Sequence, residues 1–307
     1  MKGIFKALLI GCVLPLTAVA APLQYEMDAR EVVPGTWVLQ GKTEDFTRRN
    51  GGNIVNTGFI ITTDGVLVID TGPSLKYGQA MRRFIESKTD QPIRYVFNTH
   101  HHPDHFLGNQ AFADSRIVAL KGTGEQIAAQ GDGLAENMYR MIGDWMRSTE
   151  VELPQEQIEP GVLEVGGHRL RLLAFRGHTG ADLVLLDETS GVLFASDMVF
   201  YQRALTTPHT PGLQVWLTEL DQLSEIEFRY LVPGHGPVVQ DQQAYRQMRD
   251  YLRWLDQILT ESAEQGLSMT EVIRLPIPEE FASVALSRME FIRTVAHLYA
   301  KYEEKAF

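Results

Sequence analysis

Apolar positions along the chain change texture partway through. Up to about residue 240 they come in short β-rich runs alternating with helical spacings. GFIITTDGVLVID (58–70) holds two such runs parted by Thr63-Asp64-Gly65, which predicts a hairpin. RYVFN (94–98) is a buried-strand pattern leading straight into a histidine-rich stretch, and RIVAL (116–120) predicts another strand. Between them, LKYGQAMRRFIESK (75–88) sets Met81, Phe84 and Ile85 at helical spacing, and the glycine-punctuated segment 122–147 reads as helix.

The second half repeats that texture. HRLRLLAF (168–175) alternates, and ADLVLLDETSGVLFASD (181–197) reads as a hairpin turned by Thr189-Ser190-Gly191. VWLTELDQLSEI (215–226) has helical spacing and RYLVPGHG (229–236) predicts a strand. After Gln240 the pattern is helical, with a capping box at Ser268-x-x-Glu271 and one long amphipathic run from Phe281 to Tyr302. Two similar halves of strands and helices predict an α/β fold, an αββα sandwich over residues 21–240. Residues 241–307 are a helical C-terminal extension of the same domain, because no Pro/Gly/Ser-rich linker sets them apart.

The N-terminus changes the picture of where the chain works. Lys2 and Lys6 precede a mostly apolar run (7–20) that ends in Ala18-Val19-Ala20, the pattern of a signal peptide cleaved after Ala20. Leu9-Ile10-Gly11-Cys12 also fits a lipobox. The segment after Cys12 stays apolar, however, and the flanks favour ordinary cleavage and export to the periplasm. Without the leader the chain has no cysteine, so a metal must be held by histidine and carboxylate. It carries 26 basic against 39 acidic side chains, a formal charge of −13, which disfavours a nucleic-acid substrate and points to a small molecule. No later apolar run is long enough to span a membrane.

NTHHHPDHFLGN (98–109) concentrates four of the nine histidines in six positions. Alternate residues of an extended segment point the same way, so His100 and His102 can reach one metal. Pro103 then turns the chain, so that Asp104 and His105 can serve a second. Further ligand types stand where predicted strands run into polar loops: His178 in RGHTGAD, Asp197 in FASD and His235 in VPGHG. His178 completes a first set of three imidazoles, His235 joins the second, and Asp197 is free to bridge. Asp70 in VIDTG reads as a support that orients the ligands from behind. His101 is expected to point away from them and to hydrogen-bond elsewhere, and His168 and His297 read as structural. His209, Tyr201 and Arg203 lie in a segment (198–214) able to roof the site, which makes them candidates for substrate contact.

His100-x-His102-x-Asp104-His105 followed by His178, Asp197 and His235, with VIDTG, GHTGAD and PGHG in order, resembles the metallo-β-lactamase fold hydrolases over roughly residues 35–240. Asp197 looks like the bridging aspartate of glyoxalase II, where the antibiotic-resistance enzymes carry cysteine or serine. His102 stands where flavodiiron proteins have glutamate, which points to zinc. The export signal, NTGFIITTDGVLVIDTGPS and NTHHHPDHFLGNQAF resemble the periplasmic quinoprotein relay system zinc metallohydrolases. The resemblance implies an exported hydrolase with two zinc ions, a metal-bridging hydroxide that attacks a carbonyl-type bond (ester, thioester, lactone or β-lactam), and Asp104 as the group that orients the nucleophile and relays its proton. Two other classes stay open. Persulfide dioxygenases keep the same motifs around a single iron, and a non-catalytic metal-binding accessory of a quinoprotein dehydrogenase would keep the ligands without turnover.

Overall fold

The computed structural model describes residues 23–306. The expected leader, its cleavage site and Cys12 lie outside these residues. The chain opens with an antiparallel meander of β1 (Ala29–Val33), β2 (Thr36–Leu39), β3 (Thr57–Thr62) and β4 (Gly65–Ile69). Then come α1 (Leu75–Glu86), β5 (Ile93–Asn98), the short α2 (Pro103–Phe106), β6 (Arg116–Ala119), α3 (Lys121–Ile142) and β7 (Glu156–Gln157). Strands β5, β6 and β7 add in parallel beyond β4, giving a first sheet in the order β1 to β7.

The second sheet is built from β8 (Gly161–Val165), β9 (His168–Phe175), β10 (Asp182–Asp187) and β11 (Val192–Phe200), each antiparallel to the one before. After α4 (Leu213–Ser224) the chain returns as β12 (Tyr230–His235), parallel to β11 at the sheet's edge. The rest is helical: α5 (Gln243–Glu264), α6 (Met269–Val272), α7 (Glu279–Ala282) and α8 (Ser287–Ala306).

Side-chain alternation along the strands sets the layers. In β4, Leu67 and Ile69 point between the sheets, into a core with Leu170, Leu172, Leu183, Leu185 and Phe194. Val66 and Val68 point the other way, onto Tyr77, Met81 and Ile85 of α1. A strand covered on both faces needs apolar residues at every position, and all five residues of β4 are buried. On the far side, Leu193 and Ala195 of β11 pack under Trp216 of α4, Leu252 and Leu255 of α5, and Phe291 of α8. The αββα order is therefore observed, and the C-terminal extension forms much of the outer layer over the second sheet. Among the described residues no helix is long and apolar enough to cross a membrane.

Two sequence expectations need correction. The run from Phe281 to Tyr302 is not one helix, because Ser283–Leu286 separates α7 from α8 and Leu286 takes a left-handed φ of 63°. The backbone there is engaged elsewhere: Ala204 N–H donates to Ala285 O (2.9 Å) and Ala285 N–H to Gln202 O (3.2 Å). Asp197 does not stand in a loop past a strand end, since β11 continues three residues beyond it to Phe200. The capping box at Ser268 and Glu271 forms as expected.

Candidate metal centre

Strand ends deliver most of the polar cluster. Thr99 to His102 follow β5, Asp104 and His105 lie on α2, His178 sits between β9 and β10, and His235 is the last residue of β12. Asp197 arrives from within β11 because the strand is irregular there. Ser196 has φ 47° and the pairing with β12 shifts register on both sides of it. Gly234 of β12 permits the close approach; a Cβ at that position would fall 1.9 Å from Asp197 Oδ1.

Besides a group of His101, His102 and His209, two groups of donors result. His100, His102, His178 and Asp197 each offer an atom within 4.8 Å of the others, and so do Asp104, His105 and His235. Asp197 faces both groups. Its Oδ2 is 3.2 Å from His178 Nε2 and 3.3 Å from His235 Nε2, and its Oδ1 is 3.2 Å from His105 Nε2. Asp104 Oδ2 is 3.5 Å from His235 Nε2 and 3.7 Å from His105 Nε2. Three inward atoms, His100 Nε2, His105 Nε2 and Asp197 Oδ1, are buried without a hydrogen-bond partner among the described residues. Such atoms are rare in folded proteins, and their convergence is what a metal would satisfy. The donor set is nitrogen and carboxylate oxygen, which suits zinc.

A family model described as the metallo-beta-lactamase superfamily matches residues 50–235, the span that carries all seven of these side chains. The chain belongs to the metallo-beta-lactamase superfamily. It is 20% identical over 278 residues to the linear primary-alkylsulfatase of Pseudomonas sp. (strain ATCC 19151), covering 76% of this chain and 52% of that protein. It is 26% identical over 208 residues to the beta-lactamase-like protein 2 homolog of Caenorhabditis elegans, covering 67% and 59%. The chain thus spans only about half to three fifths of the length of the curated relatives it matches. Among solved structures, a beta-lactamase domain protein from Burkholderia ambifaria is similar with a TM-score of 0.65 at 18% identity, over 93% of this chain and 91% of that one. That likeness is one of fold.

Within this superfamily fold the outer edges of the imidazoles are mostly held by the protein. His105 Nδ1–H donates to Asp70 Oδ2 (2.7 Å) and His235 Nδ1–H to the Ile54 carbonyl (2.8 Å). His100 Nδ1 lies 3.1 Å from Thr99 Oγ1, and His102 Nε2 lies 2.7 Å from His209 Nδ1. Asp70, placed right after β4 with a left-handed φ of 57°, also accepts from Thr99 N–H (2.9 Å) and Thr99 Oγ1–H (2.8 Å). Fixed outer edges leave the inner nitrogens as lone pairs aimed at the cluster.

Electrostatics point the same way. Burial, reinforced by neighbouring imidazoles, holds His100 and His102 well below the ordinary histidine value. Burial pushes His178 down to about 3 even with Asp197 beside it. Burial would raise Asp197, but His235, His105 and His178 outweigh it and hold the carboxylate well below its usual range. His105 goes the other way. Burial disfavours its charge, yet Asp197, Asp70 and Asp104 together raise it well above an ordinary imidazole. His102 and Asp104 keep 7% and 4% exposure while His105 and His178 keep none.

Of the three residues proposed from sequence for substrate contact, only His209 reaches the cluster. The Tyr201 hydroxyl donates to Gln243 of α5, and Arg203 is buried against Glu290 of α8. His101 is buried against His102 and His209, and its Nε2 has no partner among the described residues, contrary to the expected hydrogen bond. His168 and His297 lie elsewhere, on Asp187 and Thr207. Several supports were missed from sequence. Asp182 accepts from Gly177 N–H, Thr179 N–H and Thr179 Oγ1–H, which fixes the turn bearing His178, and burial raises its pKa to about 6. Asn56 donates to Pro233 O and Gly236 O on either side of His235, and Ser196 Oγ lies 2.7 Å from Thr99 Oγ1. The spacing of Thr179-x-x-Asp182 was a usable signal for a local side-chain turn; nothing local marks Asn56 or Ser196.

Proposed function

We propose that this chain is an exported dinuclear zinc hydrolase acting on a small-molecule substrate. One observation carries the reading: seven buried donors converge in two groups, and Asp197 of the first also lies against His105 and His235 of the second. His100, His102 and His178 would hold one ion, Asp104, His105 and His235 the other, with Asp197 between them. Zinc held by these residues would supply a water with its pKa lowered toward about 7 and a Lewis acid for the bond under attack. The residues themselves do the rest. Asp197 stays ionised in a buried site because its imidazole neighbours stabilise the charge. Asp70 and Ile54 keep His105 and His235 in one tautomer. Asp104, 4% exposed where His105 beside it is fully buried, would orient the nucleophile and carry its proton away.

Carbonyl-type bonds (ester, thioester, lactone, β-lactam) are the proposed targets. The alkylsulfatase named among the relatives adds linear primary alkyl sulfates to the compounds worth testing. The leader and the resemblance of the NTG and NTHHH segments support a periplasmic location and a quinoprotein dehydrogenase as partner. The test is metal analysis of protein purified without added metal, followed by assay of that panel. Two zinc ions per chain with turnover of one class is the expected result. One iron with oxygen consumption would replace the proposal with a persulfide dioxygenase. Metal without turnover, together with co-purification of a quinoprotein dehydrogenase, would replace it with an accessory protein.

A further inference from the structure

His209 touches the cluster from outside. His102 turns Nδ1 inward, 2.7 Å from His178 Nε2, and Nε2 outward, 2.7 Å from His209 Nδ1. A ligating nitrogen must be unprotonated. With Nδ1 of His102 facing the donors, its proton sits on Nε2 and is donated to His209 Nδ1. His105 and His235 are oriented by a carboxylate and a carbonyl, both strong acceptors. His102 instead depends on a neutral imidazole carried by a long connection, so where that connection sits decides how well His102 is aimed.

The connection is held at both sides of His209. Thr210 Oγ1–H donates to the Gly177 carbonyl, next to His178 (2.5 Å). Thr207 Oγ1 lies 3.2 Å from Thr294 Oγ1 and 3.1 Å from His297 Nδ1, both on α8. Further back, Arg203 is paired with Glu290 of the same helix. The chain between Thr207 and Thr210 is thus strapped to the C-terminal extension on one side and to the His178 turn on the other.

We propose that His209 is a positioning residue for the first metal position, locking the tautomer and ring of His102, and that α8 sets its place. The proposal rests on reading the cluster as a metal centre. It is tested by titrating metal-free protein with zinc against a competing chelator, with cobalt absorption as a second readout of the first position. His209→Phe keeps a ring packed against His101 but removes the acceptor; His209→Asn keeps an acceptor close to where Nδ1 lies.

The expected result is a loss of roughly 10- to 100-fold in affinity at one of two positions for His209→Phe. His209→Asn should recover most of that loss. A role in packing alone would reverse the order of the two variants and overturn the proposal, as would wild-type affinity in His209→Phe. A third equivalent of zinc in the wild type, lost in His209→Phe, would make His209 a ligand together with His101 and also overturn it. Failure of the wild type to bind any metal would sink the metal-centre reading itself, a distinguishable outcome.

Discussion

Gly234→Ala is the sharpest test of how the second sheet brings Asp197 to the cluster. The added methyl would lie 1.9 Å from Asp197 Oδ1, 2.7 Å from Asp197 N and 2.7 Å from the carbonyl carbon of Ser196. Ordinary contacts between carbon atoms are about 3.5 Å or longer, so more than 1 Å of movement is needed. Swinging the carboxylate aside relieves only the first clash, since the other two are to backbone. Strands β11 and β12 must therefore part as well. Overpacking of this kind costs about 1–3 kcal/mol, and at about 2–4 °C per kcal/mol the melting temperature should fall by several degrees. Metal retention should fall further, because Asp197 leaves its place between the two groups. Gly180→Ala is the control: it lies in the His178 turn, and nothing stands within 4 Å of its added methyl. Its effect should stay within about 0.5 kcal/mol. The assay is thermal unfolding of metal-loaded and chelator-treated protein, with metal content by plasma mass spectrometry. Two retained metals and a wild-type melting point in Gly234→Ala would refute the reasoning.

Three further outcomes are expected. Asp104→Asn should lower kcat by about 10²- to 10⁴-fold on any compound the wild type turns over and leave KM nearly unchanged, with metal content measured in parallel; full turnover with metal bound would remove Asp104 from the proton path. Glu290→Leu leaves the buried Arg203 without its partner and should cost about 3–5 kcal/mol in urea unfolding. Arg203→Met should cost less, because Arg293 still donates to Glu290. Metal-free protein should weaken in acid. His101 and His178 titrate at about 4 and about 3 against an ordinary 6.5, so their contribution is complete above pH 6.5 and lost as pH falls toward those values. His105, shifted upward, and Asp182, raised by burial to about 6, oppose this. For His101 alone the loss is about 3 kcal/mol, so the change in urea midpoint between about pH 7 and about pH 4 should be less unfavourable in His101→Phe than in the wild type, and the same change in both would contradict it.

Much of the molecule was legible in its residue pattern because its signals are local. Period-2 and period-3.6 spacing marked the strands and helices of both halves, and histidines after strand-like runs marked the loops that meet at the cluster. What the pattern could not show is geometry set by contacts distant in sequence. The placement of Asp197 inside β11 depends on a left-handed Ser196 and on Gly234 some forty residues away. Tyr201 and Arg203 are near His209 in sequence but are drawn to α5 and α8 by Gln243 and Glu290. Asn56 reaches Pro233 and Gly236 across 177 and 180 residues, a pairing no window along the chain contains. The break between α7 and α8 has the same origin, since Ala285 bonds to the Gln202–Ala204 segment instead of continuing the helix.

Each donor group draws on both sheets: His100 and His102 join His178 and Asp197, and Asp104 and His105 join His235. Any ion held by either group is therefore a crosslink between the two halves of the fold. Its release is coupled to their separation, and a fragment of one half lacks the donors to keep it. Loading should slow amide exchange in β5 and β12 alike, and chelation should free both together. Folding and metal capture in this chain become one equilibrium seen from two ends.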